Sequence, residues 1–224
     1  MPMSSTDPLP ILYRDEFLCI GNKPAGMPSQ PDPTGDPSVL DRLKEQLGMT
    51  SIGLVHRLDR PVSGVMLFAL DPETLRLMND QFKQRAVQKT YHAIVEGRPE
   101  WKEKELRHKL LHDPKARKSR AAEGGEEAIL HARLLAQGDR FALIEVKPQG
   151  GAFHQIRAQL AAAGHPIKGD VKYGARRGEK DRSIALHARS LSFHHPATDK
   201  LVEVTAPHRS DGIWLPLIAL SGIE

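Results

Sequence analysis

Short apolar runs separated by turn residues dominate the chain, and only a few stretches carry a helical period. Ile11–Tyr13 and Phe17–Asn22 read as short strands broken by Arg14-Asp15-Glu16. Ser63–Leu70 is a continuous run of small and apolar residues, the signature of a strand covered on both faces. Gln88–Gly97 alternates, with Tyr91, Ala93 and Val95 on one side and His92 and Ile94 on the other. More strand-like sequence fills Lys104–Lys147, including Ala128–Ala136 and Phe141–Val146 joined at Gly138-Asp139. Ile184–Phe193 and Leu201–Val204 are the last strands expected.

The helical stretches announce their ends. Ser38 with Asp41 three residues on forms a capping box, Leu40, Leu43 and Leu47 supply an apolar stripe, and Gly48 stops the helix. Asp71-Pro72 places an N-cap before a proline at the first helical position, with Leu75, Met78 and Phe82 facing inward. Phe153–Ala163 is helical and ends at Gly164-His165-Pro166, while Pro28 to Pro37 is a loop rich in Pro, Gly and Asp. Many strands with few helices predict an α+β fold with a mixed, mostly antiparallel sheet. Residues 1–9 are expected as a flexible polar tail, and 10–224 as a single domain.

Composition narrows the class. The 224 residues are 39% hydrophobic and 27% charged, ordinary for a soluble globular chain. A net charge of +4 tilts toward an anionic partner only if the cations cluster. The single Cys19 excludes an intramolecular disulfide framework and a Cys-rich zinc site. The N-terminus lacks a basic then apolar leader, and no run is long enough to span a bilayer, so a cytoplasmic location and no membrane partner are expected.

The most informative stretch is His56-Arg57-Leu58-Asp59, followed by Arg60-Pro61-Val62-Ser63-Gly64. A carboxylate flanked by two arginines is favoured in its ionised form, which suits a nucleophile or base working on a phosphate-rich substrate. With it stand Lys23-Pro24-Ala25-Gly26, Lys89-Thr90-Tyr91, and His154-Gln155-Ile156-Arg157 followed by Gly164-His165-Pro166 and Gly169-Asp170-Val171-Lys172-Tyr173-Gly174. These segments, in this order, resemble the motifs of the RluA-type RNA pseudouridine synthases. Leu186-His187-Ala188 and His195-Pro196 echo that family's C-terminal strand, and the resemblance runs from about Ile11 to the C-terminus. Two positions depart from the family pattern: Val62, where Thr is usual, and Ala152, where Arg or Lys is usual. The S4 domain that some relatives carry is not expected here.

The resemblance implies a pseudouridine synthase-like fold, with helices and loops around a central cleft, and an enzyme that isomerises uridine in structured rRNA or tRNA. The reaction gains and loses no atom, so no cofactor or metal is expected. Asp59 is then the catalytic carboxylate, Arg157 its expected ion-pair partner, and Tyr91 the ring beneath the base, with Ile156 as an apolar wall. His56, Arg57 and Lys23 join the substrate-binding set. Arg57 is expected to fill the space left by a flipped base, because guanidinium stacks and bonds phosphate at once. Lys115, Arg117, Lys118 and Arg120, in the basic segment His112–Arg120, have the character of a flexible phosphate-gripping loop. Lys168, Lys172, Arg176, Arg177 and Lys180 offer a second grip. A monomer is expected. Of eleven histidines, His108 and His112 are four apart but in strand-like sequence, where the metalloprotease helix motif does not apply. Two other readings remain: a non-catalytic RNA-binding protein that keeps the cleft, and a glycoside or nucleoside hydrolase, which needs a second carboxylate.

Overall fold

The computed structural model describes residues 7–210 and 212–223; residues 1–6 of the expected tail lie outside the described residues. Leu9, placed in that tail by its polar neighbours, is buried, and Gln46 bonds both its N–H, at 2.8 Å, and its carbonyl, at 3.1 Å. The chain divides into two compact units, one running up to Lys89 with Ala188–Pro207, the other Thr90–His187 with the segment from His208.

The first unit holds β1 (Ile11–Arg14), β2 (Leu18–Lys23), α1 (Val39–Leu47), β3 (Gly53–Leu54), β4 (Ser63–Ala69) and α2 (Pro72–Lys83). It also holds most of β10 (Leu186–His194) and all of β11 (Leu201–Thr205). The strands lie in the order β1-β2-β4-β10, with β11 on β10 and β3 on β4. Pairings β1/β2, β2/β4, β3/β4 and β10/β11 are antiparallel. Every residue of β4 is buried, as its unbroken apolar run predicts. Leu18, Ile20, Val65, Leu67, Met78, Leu191 and Phe193 form the core, with Leu75 and Phe82 of α2 against it. Gly64 has φ +117, and a Cβ there would strike the Ala188 backbone, so only glycine permits this close approach.

Ser38 and Asp41 make the capping box of α1, and Gly48 ends it in the left-handed conformation. The buried face differs from the expected leucine stripe: it is Val39, Arg42 and Leu43. Arg42 turns inward because its Nη1 donates to the Asp7 carbonyl at 2.8 Å. Asp71 caps α2 by accepting the Thr74 N–H, and Pro72 follows it.

The second unit takes up β5 (Gln88–Glu96) from Thr90 onward, then β6 (Glu103–Asp113), β7 (Lys118–Ala121), β8 (Glu126–Gln137), β9 (Phe141–Gln149), α3 (Gln155–Ala162) and α4 (Trp214–Ser221). Its strands run in the order β5-β9-β8-β6-β7, with antiparallel neighbours. Residues Gln155 to Leu160 of α3 are all buried. Polar residues can sit there because the strands supply acceptors. Gln155 Nε2 donates to the Ile129 carbonyl at 2.9 Å, and Gln159 Nε2 to those of Leu106 and Ala128, each at 2.9 Å. The segment expected as a flexible loop, His112–Arg120, is instead a hairpin: His112 pairs with Ser119 and Asp113 with Lys118. Asp113 Oδ1 closes its turn by accepting the Ala116 N–H at 3.0 Å. Helix α4 is not legible from periodicity, since Trp214-Leu-Pro-Leu-Ile-Ala-Leu is apolar throughout. Pro216 stands in its first turn, where no backbone donor is needed.

Candidate active site

Asp59 lies in the loop between β3 and β4, and buried side chains hold the backbone on both sides of it. Before it, Ser29 Oγ donates to the Leu58 carbonyl at 2.7 Å and accepts the Leu58 N–H at 3.1 Å. After it, Lys23 Nζ donates to the carbonyls of Pro24, at 2.9 Å, Arg60, at 3.1 Å, and Val62, at 2.6 Å. Lys23 is 0% exposed and Ser29 5%. Burying an ammonium costs several kcal/mol, and each bond from a charged donor returns about 1.5–3 kcal/mol, so three carbonyls are needed to hold it there. Burial pushes the Lys23 pKa down to about 7, against the pull of the Asp59 carboxylate, with the Arg60 cation adding to the fall. Lys23, expected among the substrate-binding residues, thus lies inside the protein with its Nζ on these three carbonyls.

The two arginines beside Asp59 differ. Arg57 is exposed. Arg60 is fastened to the loop of residues 28–37 and its approach: its Nε donates to Gly26 O at 2.8 Å, its Nη1 to Thr34 Oγ1 at 3.0 Å, and its Nη2 pairs with Asp36. Gly26 N–H returns a 2.8 Å bond to the Arg60 carbonyl, and Val62 N–H closes a turn on the Asp59 carbonyl at 3.0 Å.

His56 also belongs to the scaffold. Its Nε2 accepts the Leu67 N–H at 3.1 Å, one residue beyond the two-residue pairing of β3 with β4. Its ring stacks on Phe82 at 5.2 Å, and Lys89 Nζ sits 6.0 Å from the centroid of that Phe82 ring. Burial, reinforced by the Lys89 cation, pushes the His56 pKa well below 6.5, and burial with the Arg85 charge lowers that of Lys89. His56, expected among the substrate-binding residues, thus has its Nε2 on the Leu67 N–H.

In the second unit, Tyr91 stands on β5 opposite Val146 and is half-buried. Ile156 and Arg157, on the first turn of α3, are 7% and 6% exposed. Arg157 makes a bidentate pair with Asp170, Nε to Oδ2 at 2.7 Å and Nη2 to Oδ1 at 2.8 Å. Its Nη1 meets His154 Nε2 at 2.9 Å, and its guanidinium lies 5.1 Å from the Tyr173 ring centroid. The turn residues Lys115 and Arg117 and the strand residue Arg120 are exposed, and Lys118 is half-buried with its Nζ 5.8 Å from the Tyr173 centroid. In the second expected grip, Lys168 pairs with Glu179, and Lys172 donates to the Arg117 carbonyl at 2.9 Å.

Sequence reasoning missed Ser29, Asp170 and Phe82 as parts of these settings. Asp170 stands in a recognised motif without a role there; Ser29 offers no signal, because its partner is a backbone 29 residues away. His108 and His112 both lie in β6, and no group of three or more metal-type side chains forms among the described residues. None of the described helices is long and apolar enough to cross a membrane.

The His56 environment predicts a pH effect on stability. Its folded pKa is depressed, so the unfolded chain binds more protons below pH 6.5; the stabilisation is complete above that pH and is lost as pH falls. His56→Gln keeps an acceptor for Leu67 N–H without a titrating group. Between about pH 7 and pH 5, the urea midpoint of the wild type should fall more steeply than that of the variant. Equal slopes would contradict this.

Residues 18–162 match the sequence profile of the RNA pseudouridylate synthase family. A tRNA pseudouridine synthase C of Haemophilus influenzae is 37% identical, over 96% of this chain and 99% of its own length. An RNA pseudouridine synthase of Bacillus subtilis is 33% identical over 91% of this chain and 70% of its own length. Among solved structures, human RNA pseudouridylate synthase domain containing 1 superposes with a TM-score of 0.81 at 26% identity, over 98% of this chain and 90% of that one. A profile matched over most of the chain, and relatives similar to it over nearly its whole length, identify it: the chain belongs to the RNA pseudouridylate synthase family and isomerises uridine in RNA.

Proposed function

We propose that the RNA is a transfer RNA and that Asp59 is the catalytic carboxylate. The observation that carries the substrate is the end-to-end similarity to tRNA pseudouridine synthase C of Haemophilus influenzae, which spans 99% of that enzyme. In the reaction the C1′–N1 bond breaks, the uracil turns, and C1′–C5 forms. C5 gives up its proton and N1 gains one, so atoms balance. Asp59 can add to the nucleotide or take a sugar proton; both routes need it ionised. The Ser29 and Lys23 bonds to the neighbouring backbone support this role, because a carboxylate that meets one sugar carbon must be aimed before substrate arrives. Tyr91 stacks on the base and serves proton removal at C5, Ile156 walls the base, and Arg157 supports the charge of the reacting carboxylate.

Arg57, exposed two residues before Asp59, occupies the place of the flipped base. Lys115, Arg117, Lys118 and Arg120 grip phosphates from a shaped hairpin rather than a mobile loop. The enzyme works as a monomer in the cytoplasm, without a cofactor.

Pseudouridine mapping by carbodiimide labelling and reverse transcription, in cells lacking the protein, tests the reading. One or more tRNA sites should vanish and return with wild type but not with Asp59→Asn. Loss confined to rRNA would overturn the tRNA assignment, and rescue by Asp59→Asn would overturn the catalytic one. Replacing Lys115, Arg117, Lys118 and Arg120 with Gln should flatten the dependence of log affinity on log salt, by about 0.7–0.9 for each phosphate that is no longer neutralised. An unchanged slope would remove the hairpin from the RNA interface.

A further inference from the structure

A chain of hydrogen bonds joins the basic hairpin to Arg157. Ser119 N–H of β7 donates to Tyr173 Oη at 2.8 Å; Tyr173 Oη lies 2.9 Å from His154 Nδ1; His154 Nε2 lies 2.9 Å from Arg157 Nη1; and Arg157 is fixed on its other edge by Asp170. Donor and acceptor roles follow from chemistry. A guanidinium can only donate, so His154 Nε2 accepts, the imidazole is neutral, and its proton sits on Nδ1. That proton goes to Tyr173 Oη, which thus accepts from both Ser119 and His154. The His154 backbone adopts φ +53, a left-handed conformation uncommon for a side-chain-bearing residue, at the N-terminus of α3. Phe153 stacks on the ring at 3.9 Å and Tyr173 meets it edge-on at 5.6 Å.

We propose that His154 is a positioning residue of the reaction: held neutral in its Nδ1–H tautomer by Tyr173, it orients the Arg157 guanidinium through Nε2. The inference rests on the reading that Arg157 serves the reaction at Asp59. With His154, at least three of the five Arg157 donors have fixed partners, Asp170 taking two of them. A bidentate pair alone leaves the guanidinium free to rock about the carboxylate; the third bond stops that. Protonating His154 would turn Nε2 into a donor facing a donor and set two cations at hydrogen-bond distance. The charges around it reinforce the point. Arg157 lies on its own helix, Lys118 of β7 is above Tyr173, and His112 of β6 is 4.4 Å from Phe153, while the carboxylate of Asp170 is already engaged by Arg157. The same contacts tie the orientation of Arg157 to the hairpin proposed to grip the RNA, since Tyr173 Oη is bonded to both Ser119 of the hairpin and His154.

Two variants separate the two ring nitrogens. Gln at 154 places an acceptor where Nε2 stood, and Asn places its amide near the position of Nδ1. On the RNA substrate, His154→Gln should keep kcat within about threefold of wild type above neutral pH, and should lose an acid-side decline that the wild type shows. His154→Asn should lower kcat by about 10–100-fold with KM unchanged, the scale expected for a misplaced catalytic group. Equal loss in both variants, or wild-type rates and pH profile in both, would overturn the proposal. The ¹⁵N shifts of His154 in the wild-type protein provide a readout independent of turnover and of how the variants fold: Nδ1–H is expected, and an Nε2–H ring would overturn it. Asp59→Asn run alongside keeps the two levels apart. If it is inactive while His154→Asn turns over normally, only this inference falls; if it is active, the reading of Asp59 falls and the tautomer still decides the bond to Arg157.

Discussion

The setting of Asp59 depends on how a small loop satisfies its buried backbone. Four residues, Leu58, Asp59, Arg60 and Val62, must hold a conformation that neither helix nor strand provides. Side chains from far along the chain answer three of them, a hydroxyl on Leu58 and an ammonium on Arg60 and Val62, while the Asp59 carbonyl takes the Val62 N–H. A buried lysine is a costly staple, and it persists because three carbonyls match its three donors. Helix-like regularity would have satisfied the same groups more cheaply, but it would not have presented a single carboxylate at a loop apex. The strand pairing Lys23↔Gly64 fixes the root of the lysine directly beside the return of that loop into β4.

The second unit meets a similar demand with different chemistry. Helix α3 is buried along nearly its whole length, so its polar residues need partners, and each finds one. Gln155 and Gln159 bond strand carbonyls, which fixes the helix on the sheet; Arg157 and the His154 that precedes it bond Asp170 and Tyr173, which fixes the guanidinium. The same helix thus carries both the anchoring set and the residues proposed to serve the reaction. A buried arginine held by a bidentate carboxylate and a neutral histidine is rigid before any substrate binds, which is the condition under which an electrostatic group contributes most to a reaction.

Much of this was legible in the sequence. The capped helices α1 and α2, the buried strand β4 and the hairpin β8/β9 carry strong local signals, Ser38 with Asp41, Asp71 with Pro72, an unbroken apolar run and a Gly-Asp turn, and they formed where those signals placed them. What local pattern could not carry was long-range polar pairing. Nothing in the sequence near Lys23 or His56 shows that the lysine sits among three backbone carbonyls or that the imidazole accepts a strand N–H. The basic segment at 112–120 looked flexible for its charge, yet Asp113 and Tyr173 shape it into a hairpin. Helix α4 escaped because a uniformly apolar helix has no period to detect.

The most direct test of the account is the single-turnover rate of Ser29→Ala on RNA under saturating enzyme. Removing this buried hydroxyl leaves both backbone groups of Leu58 without their partner, a loss of about 1–3 kcal/mol of local restraint, and leaves the Asp59 side chain unchanged. If the held backbone aims the carboxylate, the rate falls about tenfold or more while RNA affinity stays the same. A folded variant that reacts as fast as the wild type would contradict the claim that these contacts set the position of Asp59.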